Sequence, residues 1–158
     1  MDPVERLLAI EEIRQLKSRY FRFMDRKDWD GLATVFTDDA IFDARTANSV
    51  SGHADEGAGA ASNDWLYEGG ATIVAFIRDV VSPLVTVHHG HGHEVELLSE
   101  TEARGIIAME DMIWHGTGSP DTLVLHGYGH YEEEYRKTGG QWRIRRSRLT
   151  RLNVILGE

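Results

Sequence analysis

The chain has 158 residues, of which 41% are apolar and 27% are charged, and its formal net charge is −9. This length fits one domain with a substantial core, and the composition is that of a soluble globular protein. The negative charge argues against binding to nucleic acid or to an anionic membrane, because both need a basic protein face. Because there is no cysteine, disulfides, thiolate nucleophiles and cysteine-ligated zinc are excluded.

The N-terminus, "MDPVERLLAIEEIRQLK", begins with an acidic residue and has no basic segment followed by a continuous apolar stretch. It is therefore not predicted to be a signal peptide. No run in the chain approaches the roughly 18 apolar residues of a membrane span. We expect a cytoplasmic protein.

Three helices are predicted before the long strands. Over residues 3–24 apolar side chains recur every three or four positions, with charged residues such as Lys17 between them, and Asp2 is the expected N-cap. A short helix is expected after Asp28, and a third over residues 70–81. The expected buried face of the second helix consists of Trp29, Leu32, Val35 and Phe36.

Strand patterns occupy most of the remaining chain. A short strand is predicted at residues 39–45, and four long ones at residues 85–98, 102–114, 122–136 and 141–155. Short connections between the long strands predict an antiparallel meander. Helices followed by long strands indicate an α+β arrangement, with the helices on one face of a curved sheet.

Residues 46–69 have no sustained period and are rich in Gly, Ala, Ser and Asp, so they are predicted to form a long loop. Loops of this length are uncommon inside a compact domain and are often functional. Trp65, near the end of the segment, could fold it back over a pocket.

The stretch "HHGHGHE" at residues 88–94 contains four of the eight histidines. Strict alternation back from Val95 would point His89 inward, together with His91 and His93. Gly90 and Gly92 favour a bulge, however, and a bulge would reverse the alternation and turn His88 inward. The pattern alone leaves open which of His88 and His89 faces the interior.

A metal site built from His89, His91 and His93 is an alternative interpretation. Strand residues two apart give few convergent ligands, and no HExxH helix accompanies them, so we predict no metal. His91 and His93 are more simply interpreted as solvated or core-satisfied polar residues. The chain also lacks GxGxxG, Walker and GxSxG motifs, and no cofactor is expected.

In the strand at residues 102–114, Asp111 shares a face with apolar residues such as Ile107 and Met109. A carboxylate buried there would need a partner. The alternative is a register slip that would place Glu110 inside instead. An inward histidine beside an inward aspartate is a general-base pair, because the carboxylate fixes the imidazole tautomer.

Three further positions are candidates with simpler alternatives. Tyr20 is in phase with the apolar face of the first helix and could be a core residue. Asp25 could be a turn residue in "MDRKDWD". It lies near the C-terminal end of that helix, however, where a carboxylate opposes the macrodipole and needs another reason to be present. Tyr128 shares a strand face with His126 and His130, and this face could line a pocket or lie in solvent.

Several phrases, among them "RYFRFMDRKDWDGLATVFTDDAIFD", "TVHHGHGHEVEL", "ARGIIAMEDMIW" and "GQWRIRRSRLTRL", resemble the SnoaL-like group of the cystatin-like superfamily. The resemblance covers most of the chain except residues 46–69. It implies one domain over residues 1–158: a cone-shaped α+β barrel of a curved antiparallel sheet, with three N-terminal helices on its concave face. It also implies a homodimer or homotrimer. The superfamily includes dehydratases, isomerases, cyclases and binding domains, so fold alone does not give the activity.

Within that group the chain resembles scytalone dehydratase and the bile acid 7α-dehydratases. These are cofactor-free lyases that use a Tyr and an Asp of the first helix, a His on the next long strand and a partner one strand later. The residues at the matching positions are Tyr20, Asp25, His88 and Asp111. An arginine near the last strand is also implied, and Arg151 fits better than Arg148 by its spacing to Asp111.

The resemblance implies a dehydratase or isomerase acting on an apolar, cyclic, oxygenated substrate, steroid-like or polyketide-like. His88, oriented by Asp111, would abstract a proton next to a carbonyl, and Tyr20, helped by Asp25, would bind the oxygen. Arg151 would pair with a carboxylate or polarised oxygen of the substrate, or else order the pocket. Further substrate contacts are expected from His89, Trp65 and Tyr128.

The alternative function is a non-catalytic small-molecule-binding or accessory protein. A ring nitrogen of His88 beyond hydrogen-bonding reach of Asp111, or a solvent-facing His88, would overturn the enzyme hypothesis.

Overall fold

The computed structural model describes residues 1–47 and 64–157. The helices are α1 (Pro3–Asp25), α2 (Trp29–Ala33) and α3 (Gly70–Val81). The strands are β1 (Phe36–Asp43), β2 (Leu66–Glu68), β3 (Val85–Leu97), β4 (Glu102–Trp114), β5 (Leu123–Thr138) and β6 (Gln141–Leu156), with one 3₁₀ turn at Pro120–Thr122. The predicted α+β class, the three helices and the four long strands are confirmed. In the part of the chain described, no helix is both long and apolar enough to span a membrane.

The six strands form one open, curved sheet in the order β2-β1-β6-β5-β4-β3. β3 to β6 are an antiparallel meander, as predicted. β1, however, pairs in parallel with β6, so the sheet is mixed rather than wholly antiparallel. Alternation along β1 shows which side chains face the core but not which strand lies beside it. The face of the sheet on which α1 packs is called the inner face below, and the opposite face is called the outer face.

Helix α1 begins with a capping box. The Asp2 carboxylate accepts hydrogen bonds from the backbone N–H groups of Val4 and Glu5, and the Glu5 side chain accepts one from the Asp2 N–H. The helix packs mainly on β3 and ends at Asp25. Asp25 is therefore held close to the first residues of that strand.

Two predictions of local structure were wrong. Helix α2 ends at Ala33, and Phe36, predicted on that helix, begins β1 instead. It is buried as predicted, because the Val35 carbonyl pairs with the Ile144 N–H and draws this segment into the sheet. Leu66–Glu68, predicted as loop, forms β2 against β1. Residues 48–63 of the predicted loop lie outside the described residues.

The predicted bulge in β3 is confirmed. Pairing with β4 shifts register between Gly90 and His93, and His88 lies opposite Asp111. His88 is buried on the inner face, whereas His89 is exposed. A side chain at Gly90 would come within 2.8 Å of the Phe21 ring, so glycine lets α1 approach the strand closely.

Candidate active site

His88 is held on the inner face by the carboxylate of Asp25. Its Nδ1 lies 2.6 Å from Asp25 Oδ1, and its backbone N–H donates to Asp25 Oδ2 at 2.9 Å. The His88 side chain is only 6% exposed. The Phe21 ring lies parallel to the imidazole at a centroid distance of 6.1 Å. With Nδ1 protonated and bonded to Asp25, Nε2 carries the lone pair.

Asp25 is fixed by more than the histidine. Thr86 donates its hydroxyl to Asp25 Oδ1 at 2.9 Å, and Lys27 donates to the Thr86 hydroxyl at 3.0 Å. Lys27 has a φ of 60°, which turns the chain sharply after α1. The sequence suggested that Asp25 needed a reason to be at a helix C-terminus, and these donors supply it.

Asp111 does not orient His88, contrary to our prediction. Its Oδ2 lies 4.0 Å from His88 Nε2, beyond hydrogen-bonding distance. Both carboxylate oxygens instead accept hydrogen bonds from Arg151, at 2.6 and 2.7 Å. This two-pronged pair is buried on both sides, and each Asp111 carboxylate oxygen has an arginine nitrogen as its partner. Arg151 rather than Arg148 therefore lies beside Asp111, as the spacing suggested.

Tyr20 is buried on the same inner face. Burial raises its pKa well above the usual value, and the negative charges of Glu133 and Asp111 and a side-chain hydrogen bond with Tyr131 act in the same direction. Burial likewise raises the pKa of Tyr131. Both phenols are therefore protonated near neutral pH and are hydrogen-bond donors.

Three predicted substrate contacts do not join this cluster. His89 is half-exposed on the outer face, with Nδ1 3.3 Å from Glu110, because the bulge places His88 and not His89 inside. Tyr128 is on the outer face too, where it packs against His126 at a centroid distance of 4.7 Å. Trp65 packs edge-on against Phe76 of α3 and is 43% exposed.

A buried polar network was missed by the sequence analysis. Lys17 Nζ lies 2.6 Å from Glu133 Oε1, and both side chains are essentially excluded from solvent. Ser147 and Tyr135 also donate to Glu133, at 2.9 and 2.7 Å. We assigned Lys17 to the polar face of α1. Lys17 is four residues after Ile13 and three residues before Tyr20, and this helical spacing indicates that it lies on the buried face of α1.

His93 continues this network past the bulge, with Nε2 3.0 Å from the Tyr135 hydroxyl. Burial is the main cause that lowers its pKa from 6.5 to about 4; the charge of Glu133 opposes this shift, and the charges of Lys17 and Arg14 contribute to it. In the unfolded chain the imidazole binds a proton near pH 6.5. The free energy of unfolding should therefore fall as pH drops from about 6.5 to about 4.

We expect His93→Gln to flatten this dependence, because glutamine does not titrate but can still hydrogen-bond Tyr135. The measurement is urea unfolding of both proteins between about pH 7 and pH 5. Equal slopes of stability against pH in parent and variant would show that His93 is not the group responsible.

Gly127 on β5 makes room for the Asp111–Arg151 pair. A Cβ there would overlap Arg151 Nη1 and lie 2.6 Å from Asp111 Oδ1. We expect Gly127→Ala to lower the free energy of unfolding by about 1–3 kcal/mol, because the buried ion pair must shift. Gly92→Ala is the control, since nothing lies within 4 Å of a Cβ at Gly92. Urea unfolding checks the difference, and equal stability of the two variants would contradict it.

The fold and this cluster define a class of small α+β domain, with acid–base side chains gathered between α1 and the inner face of a curved sheet. The chain belongs to the SnoaL-like domain family, whose profile matches residues 5–148.

In sequence it is 26% identical over 144 residues to the protein named Probable cyclase FGR4 of Gibberella zeae, covering 89% of each chain. A crystal structure from Novosphingobium aromaticivorans, provisionally named a scytalone dehydratase, superposes with a TM-score of 0.78 at 18% identity, covering 99% of this chain and 93% of that one. Hexachlorocyclohexane dehydrochlorinase LinA-type3 of Novosphingobium barchaimii superposes with a TM-score of 0.72 at 20% identity, covering 98% and 94%. These two structures share the fold with this chain.

Proposed function

We propose that the protein is a cofactor-independent dehydratase or isomerase in which His88 is the general base. The observation that carries the proposal is the 2.6 Å contact between His88 Nδ1 and Asp25 Oδ1. It fixes the tautomer whose Nε2 can accept a proton, in a site shielded from water. We required a hydrogen bond between His88 and Asp111, and the 4.0 Å distance does not provide one. That requirement assumed that only Asp111 could orient the His88 ring. Asp25 performs that role, and His88 does not face solvent.

In the proposed reaction, His88 Nε2 takes a proton from the carbon next to a carbonyl or an equivalent activating group. For dehydration, the imidazolium then returns this proton to the departing hydroxyl, so that water leaves and a carbon–carbon double bond forms. For isomerisation, it returns the proton to another carbon. Asp25 stabilises the imidazolium between the two steps.

Tyr20 is the proposed donor to the substrate oxygen that becomes negative. Arg151 has both terminal nitrogens on Asp111, and its Nε donates to the Ala47 carbonyl at 3.1 Å. We therefore assign Arg151 the ordering of the site, one of the two roles that the sequence left open for it.

An apolar, cyclic, oxygenated substrate fits the surroundings of His88. Phe21, Tyr131 and Met109 are buried nearby on the inner face and offer flat or adaptable apolar surface. The names of the similar structures support an elimination reaction, because a dehydratase and a dehydrochlorinase both eliminate a small molecule from a larger one. We also propose a homodimer or homotrimer, which sedimentation analysis would test.

The test is a panel of hydroxylated and keto steroids and aromatic compounds incubated in deuterium oxide. Mass spectrometry then detects either loss of water or uptake of deuterium at the activated carbon. We expect one or the other with the parent, none with His88→Ala, and an unchanged signal with His130→Ala, whose residue lies on the outer face. Compounds that bind the parent but show neither change would indicate the alternative function, a small-molecule-binding protein.

A further inference from the structure

Helix α1 ends in a turn whose left-handed position is usually occupied by glycine. The Lys27 N–H donates to the Met24 carbonyl at 3.1 Å. The Asp28 N–H donates to the Phe23 carbonyl at 2.8 Å, which completes a Schellman arrangement. The residue at the left-handed position is Lys27, with a φ of 60°. Glycine adopts this conformation without steric cost and lysine does not, so the turn itself does not explain the lysine.

The Lys27 side chain reaches back to the proposed active site. Its Nζ donates to the Thr86 hydroxyl at 3.0 Å, and that hydroxyl donates to Asp25 Oδ1 at 2.9 Å. The same carboxylate oxygen lies 2.6 Å from His88 Nδ1. An ammonium group can only donate, so the single proton of the Thr86 hydroxyl is left for Asp25. Three consecutive contacts therefore join Lys27 to the imidazole.

Lys27 differs from the other cations around His88 because its hydrogen-bond partner is a neutral hydroxyl. Arg151 is bound to Asp111, and Lys17 is bound to Glu133. The charged groups that surround the imidazole, taken from each element packed against it, are Asp25 of α1, Asp111 of β4, Arg151 of β6 and, behind the Phe21 ring, Lys17 of α1 with Glu133 of β5. The charge of Lys27 is thus not cancelled by a carboxylate in direct contact with it.

The electrostatic environment of Lys27 agrees with this geometry. The residue is half-buried, and burial lowers its pKa, while the negative charge of Asp25 opposes this shift. The ammonium group is therefore stabilised by the carboxylate that orients His88. A charge that is felt by Asp25 at this distance is also felt by a proton added to the imidazole.

We propose that Lys27 is a positioning residue for the general base, held at Thr86 so that its positive charge keeps His88 unprotonated at mildly acidic pH. The inference rests on the proposed function of His88. An imidazole must be neutral to take a proton from the substrate. Uptake of a proton from solvent would place a second cation near Lys27, and like charges disfavour that form. The lysine therefore extends the pH range in which the base is available.

The first measurement needs no substrate. Nitrogen NMR of His88 between about pH 5 and pH 8 gives the fraction of neutral imidazole in the parent and in Lys27→Met. We expect the variant to lose the neutral form at a higher pH than the parent does. This result together with no reaction from any compound of the panel would contradict the proposed function and still support the role of Lys27.

The second measurement is kcat/KM with the best substrate of the panel. The ratio of its value at about pH 8 to its value at about pH 6 should be about twofold to fivefold larger in Lys27→Met than in the parent. The ratio removes effects of the substitution that do not depend on pH. Lys27→Arg keeps the positive charge and should restore the parent ratio.

Lys27→Gly separates the side chain from the backbone. Glycine suits a φ of 60°, so this variant should unfold at a urea concentration no lower than the parent does. It should nevertheless show the same changes in NMR and in the kcat/KM ratio as Lys27→Met. An effect of Lys27→Met that the folded Lys27→Gly variant does not share would come from the methionine and would overturn the proposal.

Arg26→Met is the matched control. It removes a positive charge from the neighbouring residue, whose side chain is exposed and screened by solvent, and should leave both measurements close to those of the parent. Equal changes in Arg26→Met and Lys27→Met would indicate a general effect of net charge and overturn the proposal. The proposal also fails if His88 takes up its proton at the same pH in the parent and in folded Lys27→Met.

Discussion

Asp25→Asn should lower kcat/KM of the proposed reaction by about 10⁴-fold, the loss expected when the carboxylate behind a catalytic histidine becomes an amide. The reason lies in the donors that converge on Asp25. The carboxylate accepts hydrogen bonds from His88 Nδ1, the His88 backbone N–H and the Thr86 hydroxyl. An amide has one accepting oxygen and one donating NH₂ group. In Asp25→Asn the NH₂ group must therefore face at least one of these donors.

The backbone N–H decides which way the amide turns. It cannot become an acceptor, so the amide oxygen must face it and the NH₂ group must face His88 Nδ1 and Thr86. The imidazole can satisfy this NH₂ only by moving its own proton to Nε2. The nitrogen that should accept the substrate proton is then already protonated, and the base is lost while the packing is preserved.

Two measurements check this result. Turnover or deuterium uptake with the best substrate of the panel gives the loss in rate, and nitrogen NMR of His88 gives the tautomer. Asp28→Asn is the matched control: Asp28 caps α2 through Gly31, and asparagine caps helices equally well. An Asp25→Asn variant that keeps both the parent tautomer and the parent rate would contradict the assignment of Asp25 as the orienting residue.

Much of the fold follows from patterns that are local in the sequence. The ends of β4 were predicted correctly because its alternation is bounded by turn residues on both sides. The β3 bulge was predictable because two glycines interrupt the alternation at Gly90 and Gly92. The parallel pairing of β1 with β6 was not predictable, since the strands are about 100 residues apart in the chain and alternation does not name a neighbour.

The candidate site was predictable as a set of residues but not as a set of pairs. Alternation placed Asp111 on the inner face, the glycines of the predicted bulge favoured His88 beside it, and the family resemblance added Asp25. Which group pairs with Asp111 depended on distances across the sheet: Arg151 lies 2.6 Å away and His88 Nε2 lies 4.0 Å away. Arg151 reaches Asp111 across β5 only because Gly127, between them, has no side chain. The sequence contains Gly127, but it does not show that Asp111 and Arg151 form their contact beside it.

The Lys17–Glu133 pair should be the most sensitive point of the core. Lys17→Met leaves Glu133 buried without its cation, and we expect the free energy of unfolding to fall by about 3–5 kcal/mol. Burial lowers the pKa of Lys17, and Glu133 opposes this shift, so each charge depends on the other for its place in the interior. Lys17 Nζ also lies 3.9 Å from the Tyr20 ring centroid and 3.5 Å from that of Tyr131, and both cation–π contacts would be lost.

The double variant Lys17→Met/Glu133→Gln separates loss of charge pairing from loss of packing. Glutamine carries no charge, and its amide oxygen can accept from one of the Ser147 and Tyr135 hydroxyls while its NH₂ group donates to the oxygen of the other. The double variant should therefore be more stable than Lys17→Met alone, although it carries one more substitution. Urea unfolding of the parent, both single variants and the double variant gives the coupling energy between the two positions.

Lys137→Met is the control for the substitution itself. Lys137 is paired with Glu12 at 3.6 Å, and that partner is 53% exposed, so we expect a change of less than about 1 kcal/mol. If Lys17→Met changes stability no more than Lys137→Met does, the buried pair is not required for folding. If the two single effects simply add in the double variant, Lys17 and Glu133 act independently despite their 2.6 Å contact. We expect neither result, because water cannot replace either partner at a site where both side chains are enclosed.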